Sequence, residues 1–124
     1  MREILFRGKL AKSGKWAEGN LVVNMRGVCV VTPDETPLGT YGQVIPETVG
    51  QFTGLTDKDG EKIFEGDILY DIYNESNCLI TFDEGSFCII DDNVCCSAFS
   101  CSMNAFEIIG NIHDNPELLR IEKE

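Results

Sequence analysis

Six cysteines stand in the 124-residue chain, and their thiols could serve in metal binding, redox chemistry or nucleophilic attack. A zinc site usually needs cysteines or histidines with about two to four residues between them, so that one turn presents two ligands. Five of the cysteines have spacings of ten, seven, one and five residues, and two adjacent ones would point to opposite faces of a strand. We therefore predict no metal site and no cofactor, and expect buried free thiols, while a redox or metal role of the cluster from Cys78 to Cys101 stays open. The five are Cys78, Cys88, Cys95, Cys96 and Cys101.

Catalysis by one of these thiols would need a neighbouring base, and His113 is the single histidine of the chain. Nothing in the sequence brings His113 to a cysteine. The adjacent carboxylates at 83–84 and 91–92 fall in polar turns, where both share one wet environment, whereas an acid–base pair needs two different ones. No glycine-rich phosphate loop or dinucleotide fingerprint is present. We predict no catalytic residues and no enzyme, with an enzyme of unknown type as the weaker alternative.

Charge is unevenly distributed along the chain, which has ten basic and 21 acidic side chains and a net charge of −11. Residues 1–30 hold six basic and two acidic side chains, whereas no lysine or arginine occurs between Ile63 and Leu119, where eleven acids lie. Proteins that bind nucleic acid use lysine and arginine to neutralise phosphates, so we expect no direct nucleic-acid binding. The acidic stretch is typical of solvated strand faces and turns. The alternative is that it mimics the charge of DNA.

Hydrophobic and polar residues alternate along most of the chain, and no long stretch keeps the period of a helix. Short predicted strands are separated by turns such as Lys12–Lys15, Asp57–Gly60 and Asp83–Ser86. Asn115 followed by Pro116 predicts the start of a short helix. These patterns predict a mainly β fold of small, barrel-like, coiled antiparallel sheets, closed by the last strands and followed by a short C-terminal helix.

Size and composition predict one domain over residues 1–124, divisible into an N-terminal β lobe (1–56) and a small β-barrel lobe (57–124). Hydrophobic residues make up 43% of the chain, too many for a disordered acidic tail. No apolar run approaches the roughly 18 residues that cross a bilayer, and the first residues lack the apolar core of a signal peptide. We therefore predict a cytoplasmic protein that does not associate with membranes.

The segment from Thr32 to Leu55 interrupts the strand pattern with three prolines and four glycines. A segment this long with few regular elements is either a functional loop or an arm packed across the fold. We predict that its polar and aromatic side chains form a binding site. They are Asp34, Glu35, Thr36, Tyr41, Gln43, Glu47, Thr48, Gln51 and Thr53.

Three stretches of the sequence have a familiar form, namely Met1–Lys9 with Trp16–Gly19, Val44–Ile68 and Ile109–Leu119. Their combination resembles the YopX family of phage and prophage proteins, and it spans nearly the whole chain. The cysteine-rich region from about residue 74 to residue 105 departs from that pattern. The resemblance implies an all-β fold whose second half is similar to a small Src-homology-type barrel, encoded by a phage or a prophage. It implies no activity and no catalytic residues.

Two functions from different classes then compete. The first is a phage- or prophage-derived accessory protein that acts as a non-catalytic protein-interaction or self-assembly module, with the segment Thr32–Thr53 facing a partner or a second copy. The second is an acidic decoy that occupies a DNA-binding protein in place of DNA. The sequence favours the first, because functional loops on rigid β scaffolds are common and no catalytic template is present.

Overall fold

The computed structural model describes residues 4–24, 27–32, 40–91, 94–100 and 103–119, and most of them lie in β-strands. Every strand pairing in these ranges is antiparallel, and the predicted mainly β class is confirmed. The chain divides into two compact units, Met1–Phe52 and Thr53–Glu124. The strands are β1 (Phe6–Lys9), β2 (Trp16–Asn24), β3 (Gly27–Thr32), β4 (Thr40–Gln43), β5 (Gly50–Thr56), β6 (Lys62–Phe64), β7 (Asp67–Asp71), β8 (Ser76–Asp83), β9 (Ser86–Asp91), β10 (Val94–Ser97) and β11 (Phe106–Asn111).

The first unit is built from strands that neighbour each other in the order β4-β3-β2-β1-β5. The predicted hairpin is present, since β1 pairs with β2 and the turn between them includes Gly14, whose φ of +76° suits glycine. Ala17 and Val44 form a small buried core, against which half-buried Leu10, Leu21 and Val49 pack. On the same hairpin the Arg7 guanidinium lies 4.8 Å from the centre of the Trp16 ring.

The second unit contains a five-stranded sheet in the order β10-β9-β8-β7-β11. Residues alternate along β8 and β9, so one face of each strand is buried and the other is half-buried or exposed. The last residues of β5 belong to this unit, and β6 is the neighbour of β5. The buried core of the unit consists of Ile63, Leu69, Cys78, Ile80, Phe87, Ile89, Ala98, Ala105 and Phe106.

The predicted barrel closure is wrong in detail, because the two sheets are open in the part of the chain that the structure describes. The last strand, β11, pairs with β7, and it stands at the end of the sheet opposite β10. A register shift between Ile108 and Gly110 bends β11, and the strand then ends in a turn. The end strands β10 and β11 are therefore not paired with each other in the described residues.

Two strand ends in the second unit have a local cause. Strand β7 ends at Asp71, because the Asp71 carboxylate accepts the backbone N–H groups of Tyr73 and Asn74 and begins a turn. The β8–β9 loop is the two-residue turn Glu84-Gly85, with φ of +50° and +82°, the combination that matches the twist of a hairpin.

The predicted C-terminal helix is a short 3₁₀ turn over Pro116–Leu119 that follows Asn115, and the Leu118 N–H donates to the Asn115 carbonyl. Within the described ranges, no helix is long and apolar enough to cross a membrane.

Candidate interaction site

The middle of the predicted binding segment forms a strap, residues 43–48, that lies along the end of β1. The Ile45 N–H donates to the Lys9 carbonyl at 2.8 Å, and the Ala11 N–H donates to the Gln43 carbonyl at 3.0 Å. Leu10 and Val44 form an antiparallel bridge between these two contacts. The backbone of the strap is therefore held in one position on the first unit.

Gly8 is what allows the strap to lie so close to β1. Val44 is almost fully buried, and a Cβ placed on Gly8 would lie 2.9 Å from the Cβ of Val44. Separations that short do not occur between real Cβ atoms, so only glycine leaves room for the valine at its present position. No local pattern indicates this contact, because the two residues lie 36 positions apart.

Two of the predicted binding residues use their side chains inside the fold. The Thr48 hydroxyl accepts the Lys9 N–H at 2.9 Å and donates to the Ile45 carbonyl at 2.6 Å. The Thr53 hydroxyl donates to the Ile63 carbonyl and accepts the Leu55 N–H. Both threonines are buried, so these hydroxyls hold the end of the strap and the middle of β5 rather than facing solvent.

The other predicted residues are divided between exposed positions and positions outside the described ranges. Gln43 and Glu47 are exposed on the strap, and Ile45 between them is 37% exposed. Gln51 is half-buried in β5. Tyr41 lies in β4, where it is in register with Val31 of β3. Asp34, Glu35 and Thr36 lie outside the described residues. The strap thus exposes one aliphatic side chain, Ile45, and two polar ones, Gln43 and Glu47, on the surface of the first unit.

Buried carboxylates in the second unit have structural partners. Asp57 accepts the N–H groups of Asp59 and Glu61 on one oxygen and of Ile108 on the other, at 2.9 to 3.0 Å. Burial acts to raise the pKa of Asp57, but these hydrogen bonds and the charge of Lys58 outweigh it and hold the pKa below 3.8. The charged carboxylate therefore joins the predicted turn Asp57–Gly60 to β11.

Asp67 and Asp71 have the same kind of role. The Phe64 N–H donates to Asp67 at 2.7 Å, and Asp71 also accepts a hydrogen bond from the Asn74 side-chain amide at 2.7 Å. All three aspartates are buried, with hydrogen bonds to their carboxylates. These acids serve the fold, and the exposed carboxylates are the ones available to a partner.

Cys101 of the cluster lies outside the described residues, and the other four cysteines only partly meet the expectation of buried thiols. Cys78 is buried in the core, but Cys88 is half-buried and Cys95 and Cys96 are exposed. The reason is that β10 is an end strand of its sheet, so its side chains are less covered. Among the described residues, no group of three or more His, Cys, Asp or Glu side chains is placed to hold a metal ion.

Exposed aromatic rings form a surface that sequence reasoning missed. Phe82 and Phe99 are 50% and 54% exposed, and both contact the ring of buried Phe87, with centroid distances of 4.9 and 6.5 Å and edge-on geometry. Asp83 and Glu84 are exposed at the adjoining turn. We call Phe82, Phe99, Asp83 and Glu84 the tip patch. Large apolar rings beside charged groups are typical of protein-binding surfaces.

Alternation alone could not find the tip patch. Phe82 has the same parity as buried Cys78 and Ile80, so the pattern along β8 predicts a core residue. It lies near the end of β8, directly opposite buried Phe87 of β9, and half of its ring stays exposed. The sequence does place Phe82 and Phe87 on either side of the acidic turn 83–84, and this was the signal that could have indicated the patch.

The comparison with known proteins supplies the family. A family model described as YopX protein matches residues 6–120. The chain belongs to the YopX family. The chain is also similar to the crystal structure of protein EF1440 from Enterococcus faecalis, with a TM-score of 0.66 and 28% sequence identity over 97% of this chain and 100% of that one. No curated protein matches the chain.

The residues that carry the YopX resemblance lie mainly at structural positions. In the stretch 44–68 these include buried Val44, the Thr53 hydroxyl and the carboxylates of Asp57 and Asp67. In the stretch 109–119, the Asn111 side chain accepts the N–H groups of residues 113 and 114. The resemblance therefore identifies a folding pattern, and the tip patch lies in the region that departs from it.

Proposed function

We propose that this YopX protein is a phage- or prophage-encoded cytoplasmic accessory protein that acts as a non-catalytic protein-interaction module, and that the tip patch is its principal contact surface. The observation that carries the proposal is the pair of half-exposed phenylalanines on either side of Phe87. Leaving half of such a ring in water forgoes roughly 1 to 1.5 kcal/mol of burial per residue. A partner that covers both rings recovers this free energy.

The charges beside the rings specify the partner. Asp83 and Glu84 adjoin Phe82, and no lysine or arginine occurs between Ile63 and Leu119 to neutralise them. We therefore infer a partner surface with an apolar pocket and a basic rim, since complementary charge steers encounter and excludes partners of like charge. A second copy of this chain could fill the role only through its basic N-terminal residues.

The strap is a second surface, on the first unit, that a partner could contact, and its exposed apolar area is smaller. In the described part of the predicted segment, Ile45, Gln43 and Glu47 are exposed and open to a partner. One aliphatic side chain that is 37% exposed offers less apolar area than the two rings of the tip patch. We therefore place the strap at the rim of an interface or outside it.

The test compares binding by matched variants. Wild-type protein, Phe82→Ser/Phe99→Ser and Tyr73→Ser are immobilised and exposed to lysate from the producing host. Tyr73 is the control because it is 80% exposed and lies near the opposite end of β8. We expect wild type and Tyr73→Ser to retain one protein that the double variant loses.

Self-assembly is tested with the same three proteins in purified form. Light scattering from about 10 to 500 μM would detect an oligomer that forms through the rings, because the double variant would then stay monomeric. If all three proteins retain the same partners and have the same molar mass, the tip patch is not the contact surface. The variant Ile45→Asp, with exposed Val23→Asp as its control, assigns any binding that persists to the strap.

The charge of the second unit favours a second candidate function, the DNA-mimicking decoy. Residues 53–124 hold 16 acidic and four basic side chains, and exposed carboxylates lie at several turns, among them Asp59, Glu75 and Glu84. A decoy predicts that its partner is released by duplex DNA and by raised salt. A partner that resists DNA but is lost with Phe82→Ser/Phe99→Ser would instead support the interaction module.

A further inference from the structure

We propose that Cys88 and Cys95 form a two-thiolate binding site for a soft monovalent cation, Cu(I), across strands β9 and β10. The register pairs Cys95 with Ile90 and Ser97 with Cys88, so the two cysteines are diagonal neighbours on one face of the sheet. Cys95 is exposed and Cys88 is half-buried, so the site is open to solvent on one side. The inference does not depend on the proposed protein partner.

The two thiols affect each other electrostatically. Hydrogen bonding with Cys95, followed by burial and by the charges of Cys95, Asp83 and Glu84, raises the pKa of Cys88 above its usual value. A further contact of the Cys88 sulfur is with the Ser86 carbonyl at 3.8 Å. The pair is thus two neighbouring sulfurs in a field of negative charge.

Distances favour a bridging ion over a disulfide. Diagonal residues of antiparallel strands have Cα atoms about 7 to 8 Å apart, while a disulfide needs about 4.4 to 6.8 Å and brings the sulfurs to about 2 Å. A metal ion bound at roughly 2.3 Å to each thiolate leaves the sulfurs at most about 4.6 Å apart, so it asks for a much looser approach of the two side chains than a disulfide does.

Charge and ligand number select the ion. Asp83 and Glu84 disfavour free thiolates, but they attract a cation that takes the place of the thiol protons. Thiolates prefer soft metals, and a zinc site would need two further protein ligands, which the described residues do not supply. Cu(I) is satisfied by two thiolates. Binding releases two protons to solvent and transfers no electron.

The experiment measures Cu(I) transfer from its bicinchoninate complex to reduced protein under anaerobic conditions. Wild type, Cys88→Ser, Cys95→Ser and the control Cys96→Ser are compared. Cys96 is exposed in the same strand but belongs to the opposite face. We expect wild type and Cys96→Ser to bind one more equivalent of Cu(I) than Cys88→Ser and Cys95→Ser do. Their affinity for this equivalent should be about a hundredfold higher than the affinity of Cys88→Ser or Cys95→Ser for Cu(I).

A pH series and a fold control complete the test. The affinity should fall as the pH is lowered, because Cu(I) competes with protons for both sulfurs. Cys95→Ser changes an exposed side chain, so it keeps the test decisive if Cys88→Ser fails to fold. Equal uptake by wild type and Cys95→Ser would overturn the proposal. Ready formation of a Cys88–Cys95 disulfide with oxidised glutathione would also overturn it, since the sulfurs would then close to bonding distance.

Discussion

The buried aspartates show how single residues account for part of the acidic stretch. The carboxylates of Asp57, Asp67 and Asp71 accept hydrogen bonds from backbone N–H groups. Without these carboxylates, those N–H groups would lack the acceptors they have in the fold. The turn at Asp57–Gly60 could be predicted from its residue types. Its link to Ile108 could not, because the two residues lie 51 positions apart and nothing local encodes the pairing.

Replacement of Asp57 by asparagine tests this role. The asparagine side chain would present an amide that cannot accept all three N–H groups, so we expect Asp57→Asn to lower the free energy of unfolding at pH 7 by about 2 kcal/mol. The pKa of Asp57 is lowered in the folded state, so its contribution is present above the ordinary value of 3.8 and is lost as the pH falls below it. Urea unfolding at pH 7 and at about pH 3 measures the difference.

The control for that prediction is Asp59→Asn. Asp59 is exposed and its carboxylate contacts the side chain of Lys58 at 3.3 Å, a surface pair that contributes little to stability. We expect a change of less than about 0.5 kcal/mol. An Asp57→Asn variant that is as stable as Asp59→Asn, or a difference that does not shrink in acid, would contradict the assigned role.

At the scale of elements, the alternation of hydrophobic residues and the turn residues predicted most strands. The hairpins around Lys12–Lys15 and Asp83–Ser86 follow from local patterns. The open sheet did not follow, because alternation sets which face of a strand is buried and does not set which strands are neighbours. That β11 returns to β7 is decided by the packing of Leu69 and Phe106 in one core.

The contact between β1 and the strap can be tested by substitutions at Gly8 and Val44. We expect Gly8→Ala to destabilise the first unit by about 1 to 3 kcal/mol, because its methyl group would overlap Val44. In a Val44→Ala background the same substitution should cost much less, since the smaller side chain leaves room. Denaturant unfolding of the four proteins gives the coupling. Equal costs in both backgrounds would mean that the strap does not lie on Gly8.

At the scale of the molecule, the two units differ in net charge. Residues 1–52 hold six basic and five acidic side chains, while residues 53–124 hold four and 16. The uneven charge could be read from the sequence, as could the family. The exposure of Phe82 could not be predicted from alternation, since Phe82 continues the buried parity of β8 and yet is 50% exposed.

Repulsion among these acids predicts a response to salt. Raising NaCl from about 10 to 300 mM shortens the screening length from roughly 30 Å to below 8 Å, so the thermal unfolding midpoint should rise by a few degrees and then level off. Continued rise at higher salt would reflect salt exclusion from the surface instead. A midpoint that falls with salt would mean that attraction between opposite charges dominates.

The central claim is that the tip patch contacts a partner, and site-specific photocrosslinking tests it most directly. A photoreactive benzoylphenylalanine replaces Phe82 in one protein and Tyr73 in another, and both are irradiated in the host cell. Residue 82 is predicted to give one discrete crosslinked protein that residue 73 does not give. The absence of any product at residue 82, or the same products at both positions, would contradict the claim.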